Sequence, residues 1–78
     1  MARYFFHIDN GGILHSDVEG ADFSSVAAMR SEALCSLEDV VRHGTLENDR
    51  RSSVQVRDVE GTLIFSATMR ILVETSSI

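Results

Sequence analysis

The string Asp-Val-Glu-Gly occurs twice in this chain, at Asp17–Gly20 and at Asp58–Gly61, once on each side of a single amphipathic segment. Asp at the first position and Gly at the fourth suit a type I turn: the carboxylate accepts a bond from the backbone ahead of it, and Gly tolerates the exit. A strand-turn-strand signal lies on either side of the amphipathic segment. The pattern therefore predicts ββαββ, an α+β fold with a four-stranded antiparallel sheet and one helix packed on one face.

The first strand is expected over about 3–9, where Arg-Tyr-Phe-Phe-His-Ile is aromatic and free of breakers. Asp9-Asn10-Gly11-Gly12 is a tight turn, because Asn and Gly both accept the positive φ of primed hairpins. The return strand is expected over 13–17. The helix is predicted over 25–43, with Asp22 or Ser24 as N-cap and Gly44 as C-cap. Val26, Met29, Ala33, Leu37 and Val40 fall on one stripe, flanked by Leu34 and Val41. Thr45–Ser53 is polar and aperiodic and reads as a loop. A second hairpin is expected from 54–58 and 62–68. Met69-Arg-Ile-Leu-Val either extends the last strand or forms a turn of helix, and the tail over 74–78 is expected to fray.

Seventy-eight residues make one small domain. A chain of this size buries only ~60% of the surface its unfolded form exposes, so a lone monomer is marginal. Cys35 is the one cysteine, which excludes an internal disulfide and a cysteine zinc site. Self-association is the remaining common remedy, and a homodimer is expected. The net charge is −5 and every basic residue is Arg. Such a balance disfavours nucleic acid. No apolar run is long enough to span a bilayer, and Met1–Tyr4 lacks the features of a secretion signal, so a cytoplasmic setting is expected.

One helix covers one face of the sheet. Phe5, His7, Gln55 and Arg57 alternate with Tyr4, Phe6, Ile8, Val54 and Val56, and are the interface candidates on the uncovered face. The nearest approach to a chemical site is His7, His15 and Asp17. A two-residue loop at Asn10-Gly11 pairs Ile8 with Ile13 and separates the histidines. A three-residue loop pairs His7 with His15, leaves Asp17 on the same side, puts Leu14 on the core face and offers two imidazoles and a carboxylate to a divalent metal. Arg30 falls inside the apolar stripe of the helix. It either grips an anionic ligand or, the better reading, lays its stem on the sheet and its head on groups near the Asp17 turn. Cys35 lies opposite the stripe and is expected to be exposed. Neither glycine-rich stretch has the strand-loop-helix context of a phosphate loop, and no nucleophile elbow is present.

RYFFH at Arg3–His7, DVEGADF at Asp17–Phe23, AAMRSEAL at Ala27–Leu34 and VQVRDVEGTLIF at Val54–Phe65 together resemble a family of very small bacterial proteins. That family is widespread in rhizobia and related alphaproteobacteria and is a domain of unknown function. The resemblance covers nearly the whole chain and implies a bacterial origin and this fold pattern, with no activity, cofactor or catalytic residue. Arg30 with Ser31-Glu32-Ala33 matches the helix motif of the family, which implies a structural role for Arg30. Gly20 and Gly61 close the two acidic turns and are assigned to the framework with it.

The expectation is a non-enzymatic, cofactor-free interaction module that self-associates through the open sheet face, with an unidentified protein partner as a further possibility. The alternative is a metal- or small-ligand-binding regulator built on His7, His15 and Asp17.

Overall fold

Alternating side chains and one helical stripe build the observed architecture. A computed structural model describes residues 1–43 and 49–72. The elements are β1 (Ala2–Asn10), β2 (Ile13–His15), β3 (Ala21–Phe23), α1 (Val26–His43), β4 (Asp49–Arg57) and β5 (Leu63–Leu72). The sheet order is β2-β1-β4-β5, and β3 also pairs with β1. Every pairing is antiparallel. The fold is α+β, with five strands rather than four.

The extra strand arises because the return strand is broken. β2 pairs with residues 8–10 of β1, and β3 pairs with residues 2–4. The two pieces share one edge of β1, with Ser16–Gly20 set between them. Phe23 on β3 reaches the core, where its ring stacks on Phe6 at 5.6 Å and 9° and meets Tyr4 at 6.2 Å.

β4 begins at Asp49, five residues before the expected start at Val54. The supposed loop over 45–53 is therefore strand from Asp49 onward, and residues 45–48 lie outside the described residues. β5 extends to Leu72, so Met69-Arg70-Ile71-Leu72 continues the last strand. The expected C-cap Gly44 and the expected fraying over 74–78 fall outside the described residues.

The helix starts at Val26, one residue after the predicted start. Ser25 is the N-cap: its Oγ accepts the Ala28 amide at 3.1 Å, and its carbonyl accepts the Met29 amide at 3.2 Å. Asp22 is still extended in β3 and is occupied by Arg3, so it cannot cap.

The core is a two-layer contact. Met29, Ala33 and Leu37 on α1 press against Val54 and Val56 on β4, and all five are buried. Phe6 and Ile8 stand opposite Val56 and Val54 on one side; Phe65 and Ala67 stand opposite them on the other. Ser52 closes the end of this face, buried and donating its hydroxyl to Asn10 Oδ1 at 3.2 Å. Val26 shares the angle of the stripe but opens the helix and stays 51% exposed; Leu34, on the flank, stays 43% exposed. None of the described helix is long and apolar enough to cross a membrane.

Burying each large apolar side chain contributes about 1.5–3 kcal/mol, and Met29, Leu37, Val54 and Val56 are the positions of that kind among the described residues. Leu37→Ala, which empties a buried site, is expected to cost about 2–5 kcal/mol. Leu34→Ala, on the exposed flank, is expected to cost under about 1 kcal/mol. Urea unfolding followed by circular dichroism measures both, and equal losses would show that α1 does not seat on β4 by its Met29–Leu37 stripe.

Candidate functional site

The interrupted edge of β1 is where the chain gathers its polar side chains. The backbone amide of Phe6 points to this edge, where no strand residue faces it. Asp17 Oδ2 accepts that amide at 3.1 Å. Asp17 Oδ1 accepts the amides of Glu19 at 3.2 Å and Gly20 at 3.0 Å. One carboxylate thus replaces the missing ladder carbonyl and closes the turn that replaced it. Burial alone would raise the Asp17 pKa, but the amides of Gly20, Phe6 and Glu19 and the charge of His7 outweigh it and hold the carboxyl below its ordinary range. The Asp17 amide in turn donates to His7 Nδ1 at 3.2 Å.

The turn is also sterically specified. Gly20 has φ +73, and a Cβ there would lie 2.9 Å from Phe5 Cε2, 3.0 Å from the Tyr4 carbonyl oxygen and 3.1 Å from Arg3 Cγ. Only glycine lets the chain lie this close to β1. The second copy of the string has the same local chemistry without the close approach. Asp58 Oδ1 accepts the amides of Glu60 at 2.9 Å and Thr62 at 3.0 Å, and the Gly61 amide donates to the Asp58 carbonyl at 3.0 Å.

The hairpin between β1 and β2 takes neither expected register. Ile8 faces His15, Asp9 faces Leu14 and Asn10 faces Ile13, so the loop is Gly11-Gly12. Both glycines have positive φ, 61° and 94°. Asn10 stays in β1 because Ser52 holds its side chain, and Asp9 Oδ1 accepts the Gly12 amide at 2.9 Å. His15 therefore shares the helix side of the sheet with Ile8 and is exposed, while His7 lies on the opposite face. Leu14 moves to the open face opposite Asp9. The expected cluster of His7, His15 and Asp17 is corrected accordingly. His7 meets Asp17, His15 meets neither, and among the described residues no group of three His, Cys, Asp or Glu could hold a metal ion.

The four interface candidates do share the uncovered face. Phe5 stands opposite Arg57 and His7 opposite Gln55. Arg57 donates to the Gly61 carbonyl at 2.9 Å and to Gln55 Oε1 at 3.4 Å. Strand parity adds residues that sequence reasoning missed. Arg3 pairs with Asp22 at 3.1 Å and also donates to the Glu19 carbonyl at 3.0 Å. The hydrogen bond and charge of each partner raise the Arg3 pKa and lower that of Asp22. Arg51 stands directly opposite Arg70. Four of the seven basic residues thus lie on one face of a net acidic chain. The signal was present in the sequence, because Arg51, Ser53, Gln55 and Arg57 keep one parity once β4 is taken back to Asp49.

Arg30 does not reach the Asp17 turn. Its guanidinium lies over the Phe65 ring, 5.3 Å from the centroid, and binds the helix to β5 through a cation–π contact. Cys35 is exposed.

Asp17→Asn removes the charge and one of the acceptor oxygens, and is expected to cost about 1–3 kcal/mol at neutral pH. A carboxyl with a depressed native pKa stabilises the fold above its unfolded value, about 3.9, and loses that contribution as the pH falls through the native value. The melting temperature of Asp17→Asn is therefore expected to fall less than that of the native chain between about pH 6 and about pH 3. Parallel curves would show that Asp17 is not the group responsible. Gly20→Ala is expected to destabilise by more than Gly12→Ala, because both strain the backbone but a Cβ at Gly12 meets nothing within 4 Å.

A family model described as a domain of unknown function (DUF6894) matches residues 3–70. No curated protein and no solved structure matches the chain. The match runs from Arg3 in β1 to Arg70 in β5 and takes in both Asp-Val-Glu-Gly turns, the split edge and the helix, and on that extent the chain belongs to the DUF6894 family of domains of unknown function.

Proposed function

We propose that this domain is a non-enzymatic protein-interaction module that self-associates, with the uncovered face of the sheet as its contact surface. The observation that carries this reading is that α1 seats on one face only, while Phe5, His7, Gln55 and Arg57 lie together on the other. Five buried apolar residues among those described make a small core, and pairing two copies is one common way a domain of this size gains further burial. Two groups that a catalytic reading would draw on are committed to the framework. Both oxygens of Asp17 are held by backbone amides, and His7 Nδ1 is held by the amide of Asp17. The likeness of its motifs to small alphaproteobacterial proteins supports a bacterial origin.

The arginines of this face set the conditions for association. Asp22 already offsets Arg3 and Asp9 lies on the same face, but arginine remains in excess there, so two copies meeting through it bring net like charge together and screening by salt strengthens the contact. Light scattering on a sizing column, at high micromolar concentration, is expected to give a species of twice the 8.6 kDa chain mass, with the dimer fraction rising as salt is added. Gln55→Arg adds a charge at an exposed position in the middle of the face and is expected to shift the mass toward the monomer. A single 8.6 kDa species at every salt concentration would refute self-association.

A further inference from the structure

His7 belongs both to the open face and to the split edge. Its backbone lies in β1 opposite Gln55, in the middle of the face. Its ring turns to the edge, where Nδ1 accepts the Asp17 amide at 3.2 Å. An imidazole nitrogen accepts a hydrogen bond only while it carries no proton. The bond therefore fixes His7 as the neutral tautomer with its proton on Nε2. The side chain is half-buried, so it still exchanges protons with solvent. Histidine is the side chain that ordinarily changes charge between about pH 5 and about pH 8.

Three charged groups face this ring among the described residues. Asp9 lies two residues along β1 on the same face, with one carboxylate oxygen accepting the Gly12 amide. Arg57 lies diagonally across on β4, opposite Phe5, and donates to the Gly61 carbonyl and to Gln55. Asp17 lies at the edge, its oxygens accepting the amides of Phe6, Glu19 and Gly20. α1 and His15 lie on the other side of the sheet. A proton added at Nδ1 sets one N–H against another at the Asp17 amide, and the ring must turn away from it. The carboxylate of Asp17 keeps its own three amides, because its lowered pKa leaves it ionised throughout the range in which histidine titrates.

We infer that His7 is a proton-operated latch on the contact face. Neutral, it ties the Asp17 turn to β1; protonated, it releases that tie and sets a positive charge in the middle of the face. The inference rests on the self-association proposed above and supplies its regulation. Arginine is already in excess on this face, so the added charge meets like charge in the partner copy and association is lost in acid.

Two readouts separate the latch from the association. NMR of the isotope-labelled chain at about pH 8 is expected to show the His7 proton on Nε2. The Asp17 amide resonance is expected to move with the His7 titration and to lose at least about tenfold in hydrogen-exchange protection by about pH 5.5. Light scattering on a sizing column, at one fixed salt concentration, is expected to give a dimer dissociation constant at least about tenfold higher at about pH 5.5 than at about pH 8. His7→Asn sets an oxygen where Nδ1 stood, so it accepts the Asp17 amide and takes up no proton. That variant is expected to dimerise equally at both pH values; His15 and His43 titrate in it as in the native chain, so the difference belongs to His7. A His7 proton on Nδ1 at about pH 8, or an Asp17 amide that does not follow the His7 titration, would overturn the latch even where the variant fails to fold. A native dimer equally strong at both pH values, or a variant as acid-sensitive as the native chain, would overturn the regulation and uphold self-association. A native chain monomeric at both would overturn self-association and its control by His7 together.

Discussion

The Asp17 carboxylate is the contact on which the rest of the fold depends. A β-strand interrupted in mid-course leaves an edge amide without a partner, and an unpaired backbone donor shielded from water is costly. Asp17 supplies the acceptor for Phe6 with one oxygen and holds Glu19 and Gly20 with the other. Because the same group closes the turn and satisfies the ladder, β2 and β3 lie along one edge of β1 although the chain between them has left the strand conformation. Phe23 is delivered by this arrangement onto Phe6, and Ser25 then begins the helix two residues later. If the clamp opens, the entry point of α1 moves with it.

The two copies of Asp-Val-Glu-Gly show how one local chemistry serves two topologies. In both, the leading Asp accepts an amide two residues ahead, and glycine takes a positive φ at the close. At Asp58 the carboxylate oxygen stays within the turn, and the chain reverses into an ordinary hairpin. At Asp17 the second oxygen reaches eleven residues back to Phe6, and Gly20 packs against Phe5. The difference lies in the surroundings: one copy follows a nine-residue strand, the other a three-residue strand that cannot hold its edge alone.

What could be read from the residues was the chemistry that acts over a few positions. The helix, its stripe through Met29, Ala33 and Leu37, both acidic turns and the parity of Phe5, His7, Gln55 and Arg57 all follow from local spacing. What could not be read was set by distant partners. The first half of β4 is polar on both faces, and its core-facing Ser52 is matched to Asn10 across the sheet rather than to an apolar side chain, so the alternation that marks a strand is lost. That same contact holds Asn10 in β1 and moves the hairpin loop to Gly11-Gly12, which separates His7 from His15. β3 is three residues long, too short for a period to show. Arg30 chose the ring of Phe65, thirty-five residues on, over the nearer acidic turn.

Arginine is in excess on the open sheet face, although Asp9 and Asp22 share that face and the helix exposes Arg30 and Arg42 beside its carboxylates. Glu32, Glu38 and Asp39 are exposed on the helix, while Arg3, Arg51, Arg57 and Arg70 lie on the sheet face behind it. The excess constrains how copies can meet. Face-to-face contact sets one arginine-rich face on another, with Asp22 offsetting Arg3 and Asp9 lying among them, so only the remaining excess of positive charge depends on screening ions.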